Sequence, residues 1–445
     1  MTRTRLPRQT LIAYALPWFA VQVVQLPLVN FVPGYYSSDL GMPLLTISWV
    51  MLATRFVDIF TDPLIGWLSD RTKTPIGRRR PWVLLGAPIL IAGGWLMFNP
   101  PDRPDALYLF MAVTVGYLGF TLIQIPYVSW GAELSPDYDE RNAIVGWREG
   151  VGVFGTLTAV SAPLIAMALG YPGLGPAMFA IAVGLTIVLP LLLIPAMTLV
   201  PEPAHPPHAG PPLTFRTGLA ALHANKPFAA FIVACFVLFI GVAPGGAVGY
   251  LMMKHTFDAE ALYPILVFSE FVAMLISVPV WAWAASRIGK HRAMALALVW
   301  MVIFTAGVPL LGLQDPLLAV ISNAVRGLGF GAVFVIPYSL LADVIDQDTL
   351  KTGRARSGLY IALAGMALKF SLMFGVFIAT AFPTLFGFEP SRPQNTPLGE
   401  FSVAISYAWV SCVFWLAAAW LFWKFPLSRA QQEETRQALE ARAAG

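Results

Sequence analysis

Charge is scarce in this sequence. Of its 445 residues only 12% are Asp, Glu, Lys or Arg, against 57% hydrophobic, and the mean hydropathy is +0.70. A soluble globular domain carries about 25% charged residues, so this set cannot assemble a water-facing surface for a chain of 48.4 kDa. Cysteine is nearly absent: Cys235 and Cys412 each lie within an apolar run. With no CxxC pair and no HExxH, neither a disulfide framework nor a structural zinc is indicated. The five histidines (His205, His208, His223, His255, His291) are scattered over loops, which argues against metal or haem ligation. The excess of +4 is spread between apolar runs rather than collected on one face, which excludes a nucleic-acid binder. A small-residue cleavage site is also missing after the basic start MTRTRLPRQT, so the first apolar run reads as a retained helix. What remains is a polytopic membrane protein.

A bilayer-spanning helix needs about 20 mostly apolar residues. Twelve such stretches are expected: 11–33, 44–68, 82–99, 106–133, 145–169, 176–199, 228–253, 261–285, 293–313, 316–342, 357–383 and 401–424. With both termini inside, 21 of the 28 basic residues fall in cytoplasmic segments or, for Lys424, at the cytoplasmic edge of a span, three (Arg103, Lys254, Arg392) fall outside, and four (Arg55, Arg148, Arg326, Lys369) within spans. This bias follows the rule that Lys and Arg gather on the cytoplasmic side and predicts that both ends face the cytoplasm. The domain plan is a six-helix half over 1–199, a Pro-rich cytoplasmic linker over 200–227, a second half over 228–427 and a short helical tail over 428–445.

The halves resemble each other. Ile125-Pro126-Tyr127 recurs as Ile336-Pro337-Tyr338, Ile76-Gly77-Arg78-Arg79-Arg80 as Ile288-Gly289-Lys290-His291-Arg292, and Pro63, Trp67 and Arg71 as Pro279, Trp283 and Arg287. The offsets are 211, 212 and 216 residues. Such a duplication of six-helix units resembles the architecture of major facilitator superfamily transporters, where solute binds between halves that rock to alternate access. The expected fold is therefore all-α, with twelve transmembrane helices in two six-helix halves.

An ionisable side chain inside a span costs about 2.5–3.5 kcal/mol or more and needs a reason. In the second stretch Asp58, Thr61 and Asp62 share one helix face at i, i+3 and i+4. Two carboxylates and a hydroxyl suit Na⁺, and they equally suit a proton. Arg55, one turn before Asp58, offers the plainer reading of a structural ion pair. Arg148 is read either as solute-facing or as neutralised by adjacent Glu149. Lys369 has no partner within its own helix and must reach across helices. Glu270 has no assigned role.

The stretch from Arg55 through Gly66-Trp67-Leu68-Ser69-Asp70-Arg71 to Gly77-Arg78-Arg79-Arg80-Pro81-Trp82 resembles the glycoside-pentoside-hexuronide:cation symporters, the melibiose permease group. So does Ala342-Asp343-Val344-Ile345-Asp346 with Lys351-Thr352-Gly353-Arg354 and Lys369. The resemblance implies symport of a small organic solute, a sugar or glycoside, driven by Na⁺ or H⁺, with no enzyme activity and no cofactor beyond that ion. It implies a cation site at Asp58, Thr61, Asp62 and Thr121. It implies solute contacts at Gln124, Arg148, Phe334 and Lys369, and gating charges at Asp70, Arg71, Arg141, Asp343, Asp346 and Arg354. The implied setting is a monomer in a bacterial-type inner membrane.

The solute side departs from the permease pattern. The first-helix Lys-Asp pair has no counterpart, since residues 11–33 carry no charge and only Gln22, Gln25 and Asn30 are strongly polar. The fourth-helix aspartate becomes Gln124, a nearby tryptophan Val128, and a tenth-helix tryptophan Phe334. The same family includes carriers of lysophospholipid-like amphiphiles, which stand as the alternative. A lipid flippase and a non-transporting receptor are the rivals from other classes.

Overall fold

The computed structural model describes residues 6–135, 138–202, 225–352, 357–392, 394–427, 431–435 and 437–438. Twelve of its helices are long and apolar enough to cross a bilayer. They are α1 (Arg8–Asn30), α2 (Leu44–Arg71), α3 (Arg80–Phe98), α4 (Ala106–Glu133), α5 (Ala143–Ala168), α6 (Leu174–Leu199), α7 (Lys226–Thr256), α8 (Glu260–Ile288), α9 (Lys290–Gln314), α10 (Pro316–Thr352), α11 (Leu359–Thr384) and α12 (Pro397–Trp423). Among the described residues the only β pairing is a single bridge between Thr74 and Gly77.

The helices begin and end where local chemistry dictates. The Asp105 side chain accepts from Tyr108 N at 2.7 Å, Asn225 from Phe228 N at 3.0 Å and Thr396 from Gly399 N at 3.1 Å, each satisfying an amide that the first turn leaves open. Prolines inside α1, α2, α4 and α10 do not end them, as is tolerated where neighbouring helices cover the freed carbonyls. The clearest departure from the expected spans is α10, which runs 37 residues to Thr352. At 1.5 Å per residue that exceeds a hydrocarbon core of about 30 Å, so its last turns project beyond it. Asp343 and Asp346 therefore ride on a helix rather than in a loop, with Lys351 in the final turn, where a cation favours the helix C-terminus.

The chain divides into two compact units: Met1–Ala209 with the short segment Glu389–Pro393, and Gly210–Phe388 with Gln394–Gly445. In the first unit α1 packs on α5 and α6, α2 on α4, and α3 on α4 and α6. In the second, α7 packs on α11 and α12, α8 on α10, and α9 on α10 and α12. Each helix of one unit thus keeps the neighbours of its counterpart six helices later. The repeated motifs also keep their geometry. Gly77 and Gly289, at matching places in the loops after α2 and α8, have φ of +112° and +94°, a backbone region that L side chains avoid. Arg71 lies over the Trp67 ring at 4.1 Å and Arg287 over Trp283 at 5.9 Å.

Helices in a bilayer gain little from apolar burial against one another and associate by close packing of small residues. The α3–α4 contact shows this. A Cβ on Gly93 would stand 2.3 Å from the Gly116 Cα, and one on Gly119 would stand 2.3 Å from the Leu90 backbone. The second unit packs a core of Phe228, Leu298, Met301, Ile336 and Trp415.

Candidate functional site

In the first unit the acids of α2 face α4. Asp58 is buried, and Arg55 Nη1 lies 3.0 Å from its Oδ2. The same guanidinium donates through Nη2 to the Tyr117 hydroxyl, and its carbon lies 3.6 Å from the centre of that ring. Asp62, one turn on, takes a different partner: Thr121 Oγ1 donates to its Oδ1 at 3.0 Å. Thr61 shares this stretch of α2 and is partly buried. The plainer reading of Arg55 is therefore correct as far as Asp58, and the two carboxylates are held by different groups.

Tyr117 was not singled out in the sequence. The available signal was its spacing, one helical turn before Thr121, which places both on one face of α4. Gln124 follows Thr121 by three residues and is partly buried.

Arg148 places both Nε and Nη2 on Glu149 Oε1, at 3.0 and 2.6 Å, and lies over Trp18 of α1 at 5.1 Å. Neutralisation by Glu149 is thus present in the structure, alongside a contact with α1. Behind Arg148 the rings stack: Trp18 is parallel to Tyr127 at 5.8 Å, and Tyr127 is parallel to Tyr14 at 4.6 Å. Trp18 Nε1, Gln22 Oε1 and Tyr127 Oη are buried and take no partner among the described residues. They offer one donor, one acceptor and one hydroxyl. Gln22, one of the few polar residues of α1, comes within reach of this group because Gly152 leaves room: a Cβ there would stand 2.7 Å from Trp18 and 3.2 Å from Gln22.

In the second unit Phe334 is half exposed on α10, and Lys369 lies within α11. Glu270 acquires partners that its own helix could not supply. Arg326 Nη2 of α10 lies 2.6 Å from Glu270 Oε1, and Asn323 Nδ2 donates to Oε2 at 3.1 Å. Tyr407 donates to Asn323 Oδ1, and the guanidinium lies 5.1 Å over the Tyr407 ring. Arg326 is 1% exposed, and its Nε and Nη1 have no partner among the described residues. One base here meets one acid.

Among the gating candidates, Asp70 accepts from Arg79 at 2.6 Å, Arg141 Nε donates to the Ser135 carbonyl at 2.7 Å, and Asp343 takes Lys290 at 2.6 Å. Arg71 stacks on Trp67, Asp346 lies one turn beyond Asp343 on α10, and Arg354 lies outside the described residues. Two further acids join the first of these clusters. Glu133, at the end of α4, binds Arg78 and Arg79 at 2.7 Å each. Glu202, just past α6, accepts the backbone amides of Arg78 and Arg79, its carboxylate filling the space a Cβ on Gly77 would need. Neither residue stands out in the sequence, because only folding brings α6 to the loop after α2.

Residues 13–429 match the family model described as MFS/sugar transport protein. The chain is 24% identical over 426 residues to the isoprimeverose transporter of Lactiplantibacillus pentosus, covering 93% of this chain and 88% of that one. It is 21% identical over 470 residues to the sodium-dependent lysophosphatidylcholine symporter 1 of Mus musculus, covering 97% and 88%. Among solved structures, a D-xylose-proton symporter superposes with a TM-score of 0.67 at 15% identity, covering 94% of this chain and 97% of that one. The nucleoside transporter NupG superposes with a TM-score of 0.65 at 13% identity, covering 95% and 100%. These likenesses establish the fold.

Proposed function

Because the chain belongs to the MFS/sugar transport protein family and is a multi-pass membrane transporter rather than an enzyme, we propose that it couples entry of Na⁺ or H⁺ to uptake of a neutral sugar or glycoside. The observation that carries this reading is the oxygen-rich group between α2 and α4: the carboxylates of Asp58 and Asp62 lie one turn apart, with the Thr121 hydroxyl on Asp62 at 3.0 Å. Ionisable groups within a span are costly and mark ion pathways, and a small cation takes its oxygen ligands from Asp58, Thr61, Asp62 and Thr121. Occupancy by the ion then favours the solute-binding form, and the two affinities rise together, as linkage requires.

The proposed solute contacts of the first unit are Gln124 and Arg148; those of the second unit are Phe334 and Lys369. Arg148, already on Glu149, presents a balanced pair, and the idle donor and acceptors of Trp18, Gln22 and Tyr127 match hydroxyls better than an ionised group. Similarity to the isoprimeverose transporter supports the same class. Asp70, Arg71, Arg141, Asp343, Asp346 and Arg354 act as the cytoplasmic charges whose pairings change in the transport cycle. Both termini face the cytoplasm of a bacterial-type inner membrane, following the distribution of basic residues, and the carrier works as a monomer.

A second reading, transport of a lysophospholipid-like amphiphile, is favoured by the uncharged first helix and by similarity to the lysophosphatidylcholine symporter. Proteoliposomes carrying an inward Na⁺ or proton gradient, offered a panel of labelled sugars and fluorescent lysolipids, separate the two. Gradient-driven accumulation of a sugar that Asp62→Asn abolishes is expected. Undiminished accumulation by that variant rejects the cation role, and accumulation of lysolipid alone rejects the sugar.

A further inference from the structure

Resting on the cation-coupling reading, we infer that Arg55 is an internal cation that competes with the transported ion for Asp58, and that Tyr117 is the positioning residue that holds Arg55 when the ion enters. An arginine does not lose its proton in a protein, so Arg55 remains charged throughout the cycle. When a second cation joins Asp58, two positive charges share one carboxylate, and the guanidinium must keep another stabilising contact or leave the site.

Tyr117 is that contact. One arginine nitrogen is bound to Asp58 and another to the tyrosine hydroxyl, while the guanidinium carbon lies 3.6 Å from the ring centre. Both groups are largely withdrawn from water: Tyr117 is 7% exposed and the Arg55 side chain 17%. A desolvated guanidinium–ring contact corresponds to a factor of roughly ten to thirty in an equilibrium constant. The phenol carries no formal charge, so it steadies Arg55 without competing for the ion. Thr121, one turn further along α4, meanwhile holds Asp62. One face of α4 thus manages both sides of the exchange, with Tyr117 on the departing internal cation and Thr121 on the carboxylate that receives the new one.

The test is a cycle of substitutions read by cation titration of the purified protein in detergent, using intrinsic tryptophan fluorescence and thermal unfolding against Na⁺, Li⁺ and pH. Tyr117→Leu, which removes ring and hydroxyl, raises the half-saturating cation concentration about tenfold. Tyr117→Phe keeps the ring and the packing, and raises it about two- to threefold. With Arg55→Gln in place there is no internal cation to seat, and adding Tyr117→Leu produces no further change. Unfolding without added cation verifies that each variant is folded, and the Phe variant carries the test should Leu fail it. An unchanged titration in the Tyr117 variants overturns the inference. So does the same tenfold loss in the Arg55→Gln background, since the ring would then act by packing alone. A wild-type protein indifferent to Na⁺, Li⁺ and pH sinks the coupling reading itself, and this inference with it.

Discussion

The two units place charge at the same helix pair and use it differently. In the first unit α2 carries two acids one turn apart, Asp58 bound by Arg55 and Asp62 by Thr121 of α4. Between α8 and α10, Arg326 pairs with one acid, Glu270. Arg326 is 1% exposed, walled by Tyr407, Phe330 and Trp415 at 5.1–5.9 Å, with Asn323 donating to the carboxylate. The Arg55 side chain is more exposed, at 17%, while its partner Asp58, at 8%, is less exposed than Glu270, at 16%. A duplicated six-helix unit has kept the helix packing in both copies and the two-acid cluster in one. The two-acid cluster is the proposed ion site, against which the Glu270–Arg326 pair is set as architecture.

The difference is broken most severely from the architectural side. Glu270→Ala leaves the Arg326 charge buried without a counter-ion, a loss of about 3–5 kcal/mol. The expected result is a collapse of the unfolding midpoint in detergent and of the folded yield. The double variant Glu270→Leu with Arg326→Met removes both charges and recovers most of the loss, since an apolar replacement of a buried pair is often neutral or better. If the single variant melts like the parent, the pair is not structural. Asp62→Asn, in the two-acid cluster, has the opposite profile. Accumulation driven by the ion gradient falls by more than tenfold, while the unfolding midpoint without cation stays near that of the parent. A variant that instead lost its fold would move Asp62 to the architectural side of the comparison.

This contrast was half legible in the sequence. The twelve spans, the duplicated motifs and the i, i+3, i+4 placement of Asp58, Thr61 and Asp62 follow from length, spacing and helical period, because these features are local. Glu270 had no visible partner, because Arg326 lies 56 residues away on another helix. The only sequence clue was that each in-span charge demands compensation. Glu133 and Glu202 escaped notice for the same reason, and Tyr117 because tyrosine in a membrane helix is ordinary. The repeated Ile-Pro-Tyr motif shows a further limit. Tyr127 is completely buried between Tyr14 and Trp18, whereas Tyr338 at the matching place is 69% exposed. Identical local sequence fixes backbone register, and the neighbouring helices decide what the side chain meets.

A gentler substitution sharpens the comparison within the two-acid cluster. Thr121→Val removes the hydroxyl bound to Asp62 while keeping the β-branched shape. A hydrogen bond to a charged group is worth about 1.5–3 kcal/mol, so cation affinity should fall by at least tenfold, with transport recovered at saturating ion concentration. Recovery separates this variant from Asp62→Asn, which lacks the charge at any concentration. If Thr121→Val is as dead as Asp62→Asn, the hydroxyl positions more than the ion.

The smallest expected effect lies at the start of α2. That helix starts after Pro43, which supplies no side-chain cap, and Leu44 N donates to Glu389 Oε1 at 3.3 Å. Half-burial raises the Glu389 carboxyl above its ordinary proton affinity, while the Leu44 amide, Arg392 and Ser391 pull it part of the way back. The folded protein therefore binds this proton more tightly than the unfolded chain. The contribution to stability is complete below the ordinary carboxylate range and is lost as pH rises through the raised value. Glu389→Gln stays neutral and lacks that decline. The variant should differ from the parent by no more than about 0.5 kcal/mol, with unfolding midpoints that fall less steeply as pH rises from acid towards neutral. Parallel slopes would mean that the cap on α2 is indifferent to the proton. The start of α2 would then resemble that of α8, where Lys254 lies 3.4 Å from Glu260 in an ion pair.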